Sequence, residues 1–289
     1  MKRTIVPLLI SLTLVIGCNG STPTRETNST NRASSHFEGA ESFTVQGGQY
    51  RLFGLRFQSA NVDSRPVLCV VLHGDAPRNR PEYQYVMASQ IAQTNDDVVT
   101  VALLRPGYED PTGNISDGER GNSVGDNWNA KNTDAIAEAI ETLGETTDAR
   151  KVVLIGHSGG AAIAANIVAR HHSLIHAVVL VSFPGDVNHW RRHMFTKTGS
   201  DAFKGDIDSL SVLQGIDQIS DALKIRLIIG EADDVTPPEL GLQYAALLED
   251  AGKTVDVVRV GDKGHDILLE PEVLQIVSKV VSEVMDDSS

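Results

Sequence analysis

Gly156-His157-Ser158-Gly159-Gly160 sets one serine among small residues, directly after the β-branched run Lys151-Val152-Val153-Leu154-Ile155 and directly before Ala161 to Ala169. Strand, sharp turn and helix in that order would hold the Ser158 hydroxyl out from the backbone at the start of a helix. There the helix dipole and the Gly159 N–H favour negative charge on a nearby oxygen. Gly156 and Gly160 answer a steric demand, because so tight a turn presses strand and helix together two residues either side of the serine. G-x-S-x-G is a common string, so the strand before it and the helix after it carry the weight. The chemistry that follows is nucleophilic attack by a hydroxyl, which needs a base to take its proton.

Nine histidines are available for that task. His36 falls in a polar N-terminal segment, His157 adjoins the nucleophile, and His171, His172 and His176 lie between a helix end and the next strand. His189 and His193 have the i, i+4 spacing of metal ligands, but no third ligand is evident and they read as surface. His265 remains, in Gly261-Asp262-Lys263-Gly264-His265, after the last strand and before the C-terminal helix. The acid that orients it is expected one strand earlier, where Gly230-Glu231-Ala232-Asp233-Asp234-Val235-Thr236-Pro237 offers two adjacent aspartates. The spacing Gly-x-x-Asp, with Pro237 four residues on, favours Asp233, and Asp234 should point the other way. A second oxyanion donor beside the Gly159 amide is expected after the first apolar strand, in Leu72-His73-Gly74-Asp75. The Asp75 N–H is preferred, with Ala76 as the alternative, and His73 reads as a brace for that loop. This chemistry requires no cofactor. The acidic residues between Pro106 and Asn129 lack calcium-loop spacing.

The elements that must position these residues alternate along the chain. Phe43 to Val45 and Tyr50 to Phe57 read as an opening hairpin across Gly47-Gly48. Six apolar runs follow, Val67 to Leu72, Val98 to Leu104, Val152 to Ile155, Ala177 to Val181, Ile225 to Ile229 and Val255 to Val260. Their lack of polar alternation means that both faces are covered. Helical patterns fall between them at Glu82 to Gln93, Asn132 to Leu143, Ala161 to Ala169, Pro238 to Ala251 and Pro271 to Met285. The expectation is an α/β fold, an eight-stranded and mostly parallel sheet with helices on both faces. Two segments interrupt it: a long Gly-, Asp- and Asn-rich stretch from Pro106 to Asn129, of a length usually functional or mobile, and a cap insertion over about 184–222.

From about Phe43 to Met285 the chain resembles the α/β-hydrolase superfamily. The resemblance rests on the His73-Gly74 oxyanion loop, the elbow around Ser158, the acid turn and the terminal Gly-x-x-Gly-His. It implies a hydrolytic enzyme, with the chain order Ser158, Asp233, His265 that this fold imposes. Arg105-Pro106-Gly107-Tyr108 is similar to a segment of its peptidase and esterase branches. His73-Gly74-Asp75-Ala76 departs from the His-Gly-Gly-Gly of the hormone-sensitive-lipase branch. A carboxylate nucleophile, as in dehalogenases and epoxide hydrolases, is excluded by Ser158. An ester, amide or thioester substrate, an aminopeptidase-like peptidase, and a silent surface binding module on the same fold all remain open.

Composition bounds the partners. Net charge is −13 over 289 residues, and no Lys/Arg run stands outside the extreme N-terminus, so nucleic acid is not an expected partner. Ile5 to Ile16 is apolar but too short to span a bilayer, and it closes on Val15-Ile16-Gly17-Cys18, which resembles the bacterial lipobox. The expected organisation is a lipoprotein signal over 1–17, a lipid-bearing Cys18 that anchors the protein to a bacterial membrane, a Ser-, Thr- and Asn-rich tether over 18–41, and the enzyme domain over 42–289. Cys69, within an apolar strand, reads as a buried core thiol.

Overall fold

The computed structural model describes residues 37–287 except 78, 122, 123 and 206, so the expected signal, Cys18 and most of the tether lie outside the described residues. Eight strands form one sheet in the order β1-β2-β4-β3-β5-β6-β7-β8. Their bounds are β1 (Glu41–Gly47), β2 (Tyr50–Gln58), β3 (Val67–Leu72), β4 (Val98–Leu103), β5 (Lys151–His157), β6 (Ala177–Val181), β7 (Lys224–Gly230) and β8 (Val255–Val260). β1 pairs antiparallel with β2 and β2 with β4, while all later pairs are parallel.

Burial explains the continuous apolar runs. All six residues of β3 are buried, with Leu68, Val70 and Leu72 in one core and Val67, Cys69 and Val71 in the other. Each such aliphatic side chain contributes about 1.5–3 kcal/mol on leaving water. The first core packs under α2 (Ala130–Thr146), α3 (Gly159–Arg170) and α5 (Pro238–Asp250), the second under α1 (Tyr83–Thr94) and α6 (Pro271–Asp286). Cys69 is fully buried and its thiol is pushed up to about 12 by desolvation, which leaves it inert at neutral pH.

One boundary differs from expectation, and two segments hold more structure than the sequence reading gave them. The folded part begins before residue 42, since the Phe37 ring packs edge-on to Tyr85 at 5.6 Å and to Phe57 at 6.4 Å. One aromatic is enough to seat an otherwise polar segment. The stretch from Pro106 to Asn129 is packed where it is described. Ser116 Oγ donates to the Leu104 carbonyl at 2.5 Å and accepts the Phe53 N–H at 2.9 Å, and Trp128 is 1% exposed. The cap insertion contains a twelve-residue helix, α4 (Val187–Thr198), whose buried residues Val187, Trp190, Arg191 and Met194 form a single i, i+3, i+4, i+7 stripe. Its polar remainder hides that stripe from a hydropathy reading. Asp186 caps it by accepting the Asn188 and His189 N–H groups.

Candidate active site

The chain leaves β3 for α1 on one face and leaves β5 for α3 on the other, although β3 and β5 are neighbours with Leu72 opposite Gly156. Diverging turns at adjacent strand ends open a crevice at the carboxyl edge of the sheet. Gly74-Asp75 and Ser158-Gly159 face each other across it, and a Cβ added at Gly74 would stand 2.8 Å from the Ser158 Cβ.

Ser158 holds φ 53°, ψ −121°, a region that side-chain-bearing residues avoid at a cost of about 1–3 kcal/mol. Packing on both sides imposes it. A Cβ at Gly156 would collide with the Gly160 carbonyl oxygen, and one at Gly160 would stand 2.5 Å from the His73 carbonyl oxygen. The strain turns the hydroxyl out of the strand toward His265.

His265 Nε2 lies 3.0 Å from Ser158 Oγ, and its Nδ1 lies 2.9 Å from Asp233 Oδ2. A carboxylate oxygen can only accept, so Nδ1 carries the proton and Nε2 is free to accept from the serine hydroxyl. Burial pushes the Asp233 carboxyl up, but the hydrogen bond and charge of His265, joined by donors from Thr236, outweigh it and hold the carboxyl below its usual range. Asp233 Oδ1 accepts the N–H groups of Val235 (2.9 Å) and Thr236 (2.8 Å), and the Thr236 hydroxyl donates to Oδ2 at 2.7 Å. Asp233 is 3% exposed. Asp234 points away, its carboxylate 79% exposed and paired with Lys197 Nζ at 2.7 Å. The structure therefore brings Ser158, Asp233 and His265 into one hydrogen-bonded line and leaves Asp234 outside it.

A second set of contacts, which sequence reading missed, grips His265 from behind. The His265 carbonyl accepts from Ser182 Oγ at 2.7 Å and from His157 Nε2 at 3.1 Å. With its Nε2 proton spent there, His157 must accept at Nδ1, so the Tyr83 hydroxyl donates to it at 2.9 Å and itself accepts the Gly74 N–H at 2.5 Å. Burial, helped by the charge of His265, pushes His157 down to about 4, which keeps it neutral and this direction of donation fixed. One phenol thus ties the loop that precedes Asp75 to the backbone of His265. Nothing in the sequence around Tyr83 or Ser182 signals this, because the contacts made to His157 and to the His265 carbonyl join residues 74 to 108 positions apart.

Asp75 differs from a plain amide donor in that its side chain is built in. Its carboxylate pairs with the fully buried Arg105 guanidinium at 3.0 Å, accepts the Trp128 indole N–H at 3.0 Å and accepts the Gly125 N–H at 3.1 Å. Arg105 in turn donates to the His73 carbonyl at 3.0 Å and to Asn127 Oδ1 at 2.9 Å. His73 accepts the Arg105 N–H at 3.0 Å and is kept neutral by burial, so it braces this loop. The cap closes the crevice from above. The Trp190 indole donates to the Val235 carbonyl at 3.0 Å, His193 Nε2 and Lys197 Nζ reach the Asp234 carbonyl at 3.1 and 2.8 Å, and α4 is thereby fastened to the loop that carries Asp233. His193 is engaged in that contact, and no cluster fit for a metal occurs among the described residues.

Residues 69–211 match the model of the Alpha/beta hydrolase family. No curated protein sequence matches the chain. Among solved structures it is similar to an esterase of Pyrococcus furiosus (14% identity, 85% of this chain and 91% of that one, TM-score 0.62). It is similar also to the proline iminopeptidase of Mycobacterium smegmatis (14% identity, 86% and 100%, TM-score 0.63). An acylaminoacyl peptidase of Pyrococcus horikoshii aligns with 86% of this chain and 41% of its own length, at 14% identity and TM-score 0.64. At that identity these likenesses bear on the fold, and with the eight-stranded sheet they identify a chain with the α/β-hydrolase fold that carries an Alpha/beta hydrolase family domain over residues 69–211.

Proposed function

We propose that the protein is a serine hydrolase that cleaves a carboxylic ester, or an amide or thioester, through an acyl-enzyme. The observation that carries this reading is the line from Ser158 Oγ through His265 to a buried, ionised Asp233. In the first half-reaction Ser158 Oγ bonds to the acyl carbon while its proton passes to His265 Nε2. Collapse of the tetrahedral adduct breaks the bond to the leaving group, which departs with that proton. Water then repeats the sequence, giving up a proton to His265 and releasing the acid with the Ser158 hydroxyl restored. The amides of Gly159 and Asp75, which donate to no other described residue, would receive the negative oxygen. The test is a panel of acyl esters against aminoacyl amides of matched leaving-group reactivity, and absence of turnover on every member contradicts the proposal.

On this reading Tyr83 is a positioning residue. Tyr83→Phe leaves the Gly74 N–H without an acceptor and His157 without a donor, and lets the oxyanion loop and the base drift apart by fractions of an ångström. Such displacement costs about ten- to a hundredfold in rate, so kcat should fall by that factor with KM little changed. An unaltered kcat would show that the Tyr83 hydroxyl positions nothing.

The same proposal places the mature protein at a bacterial membrane, held by acylated Cys18, with an acyl compound as its substrate and no part played by nucleic acid. A clickable palmitate analogue should label the expressed full chain and leave Cys18→Ser unlabelled. Equal labelling of both would remove the anchor.

A further inference from the structure

The crevice over Ser158 widens into a cavity of about 970 Å³, at the upper end of the range for drug-sized ligands. An acetyl group would leave most of it filled with water. Its cap-side wall is apolar and rigid. Trp190 is 4% exposed, tilted against Trp128 with ring centroids 5.2 Å apart, met edge-on by Phe203 at 5.7 Å and fixed at its nitrogen by Val235. Met194 and Val235 continue this wall, and Leu268 and Leu269 line the cavity beside His265. Leu269 is among the few large apolar side chains left exposed, at 38%.

The charges lining the cavity point to the same occupant. Apart from the two histidines there are four among the described residues, Asp75, Arg80, Glu82 and Asp266. Asp75 is neutralised by buried Arg105, and Arg80 is bonded to Glu109 at 2.9 Å. Glu82 and Asp266 have no cationic partner among the described residues, and Asp266 directly follows the proposed base in the chain. Among the described residues, a carboxylate on the substrate would meet two carboxylates without cationic partners, while Arg80, the cation of the lining, is already bonded to Glu109.

We propose, resting on the serine-hydrolase reading, that the acyl group accepted here is neutral and hydrophobic, a medium-length aliphatic or aromatic acid, and that acyl groups ending in a carboxylate are turned away. Burial of each added methylene in such a wall is worth roughly three- to fourfold in kcat/KM until the cavity is full. A terminal carboxylate facing Glu82 and Asp266 costs on the order of tenfold at low salt, and less as salt screens it.

The experiment uses p-nitrophenyl esters from acetyl to dodecanoyl, together with two matched pairs: the adipic half-ester against its methyl ester, and the leucyl ester against the uncharged 4-methylpentanoyl ester. Rates should climb from acetyl through at least hexanoyl. The neutral adipate should exceed the charged one about tenfold, and Glu82→Gln/Asp266→Asn should narrow that gap. Met194→Trp, which fills part of the wall, should move the optimum to shorter chains. A profile that falls from acetyl onward overturns this inference while leaving the hydrolase reading intact. More than tenfold preference for leucyl over 4-methylpentanoyl also overturns it, and assigns the cavity to an α-ammonium group. No turnover of any ester, with no covalent labelling of Ser158, overturns both readings.

Discussion

Ser158→Ala is expected to lower kcat by about five to six orders of magnitude, the scale seen when the nucleophile of a comparable hydrogen-bonded triad is removed. The change deletes only Oγ, which touches His265 Nε2, and leaves the Asp233–His265 pair, the Gly159 and Asp75 amides and the cavity walls in place. Alanine meets the same strained φ of 53° as serine, because the strain is set by Gly156 and Gly160 packing together rather than by the hydroxyl. Cooperative melting close to that of the parent protein is therefore expected alongside the lost turnover. Activity within tenfold of the parent would transfer the chemistry to another group.

Asp233→Asn should cost on the order of 10⁴ in kcat, the magnitude of the equivalent change in a serine protease. The site explains why an isosteric change does so much. Asp233 Oδ1 is committed to the Val235 and Thr236 N–H groups, which only an oxygen can accept, so the asparagine amide nitrogen must take the Oδ2 position. That nitrogen donates, and His265 can satisfy it only by moving its own proton from Nδ1 to Nε2, where it confronts the serine hydroxyl instead of accepting from it. The Thr236 hydroxyl, which donates to Oδ2 at 2.7 Å, loses that acceptor as well. Asp234→Asn touches only an exposed pair with Lys197 and should change kcat less than about threefold. Steady-state kinetics of both variants on one ester, with melting curves, separate the two aspartates. A severe loss in Asp234→Asn beside a mild one in Asp233→Asn would overturn the assignment.

The sheet was legible because strands covered on both faces leave short apolar runs without polar alternation, as in β3 and β6. The expectation of two covered faces does not hold for β8, which lies at the sheet edge with Asp256 and Arg259 exposed. Ser158 was legible through Gly156 and Gly160, whose missing side chains are a steric necessity at that turn. Asp233 could be preferred to Asp234 but not separated from it by residue type, since the difference is direction: one carboxylate meets Thr236 and His265, the other Lys197. The α4 helix escaped because its buried stripe has only three apolar residues, Val187, Trp190 and Met194, beside Arg191, and they are diluted among Asn188, His189, Arg192 and His193. The Tyr83–His157–Ser182 contacts and the Asp75–Arg105 pair were illegible for a different reason. They join strand ends that are neighbours only once the sheet order is known, and a carboxylate that faces inward to a buried guanidinium has the same letter as one in solvent.

Covalent labelling with a fluorophosphonate, followed by peptide mass analysis, tests the central claim most directly, because the probe reports a serine oxygen made nucleophilic by its surroundings and needs no knowledge of the substrate. The account predicts one phosphonyl adduct per chain, on the peptide containing Gly156-His157-Ser158-Gly159-Gly160, absent in Ser158→Ala and strongly slowed in Asp233→Asn. An adduct on any other residue, or none under conditions that label a known serine hydrolase to completion, would contradict it.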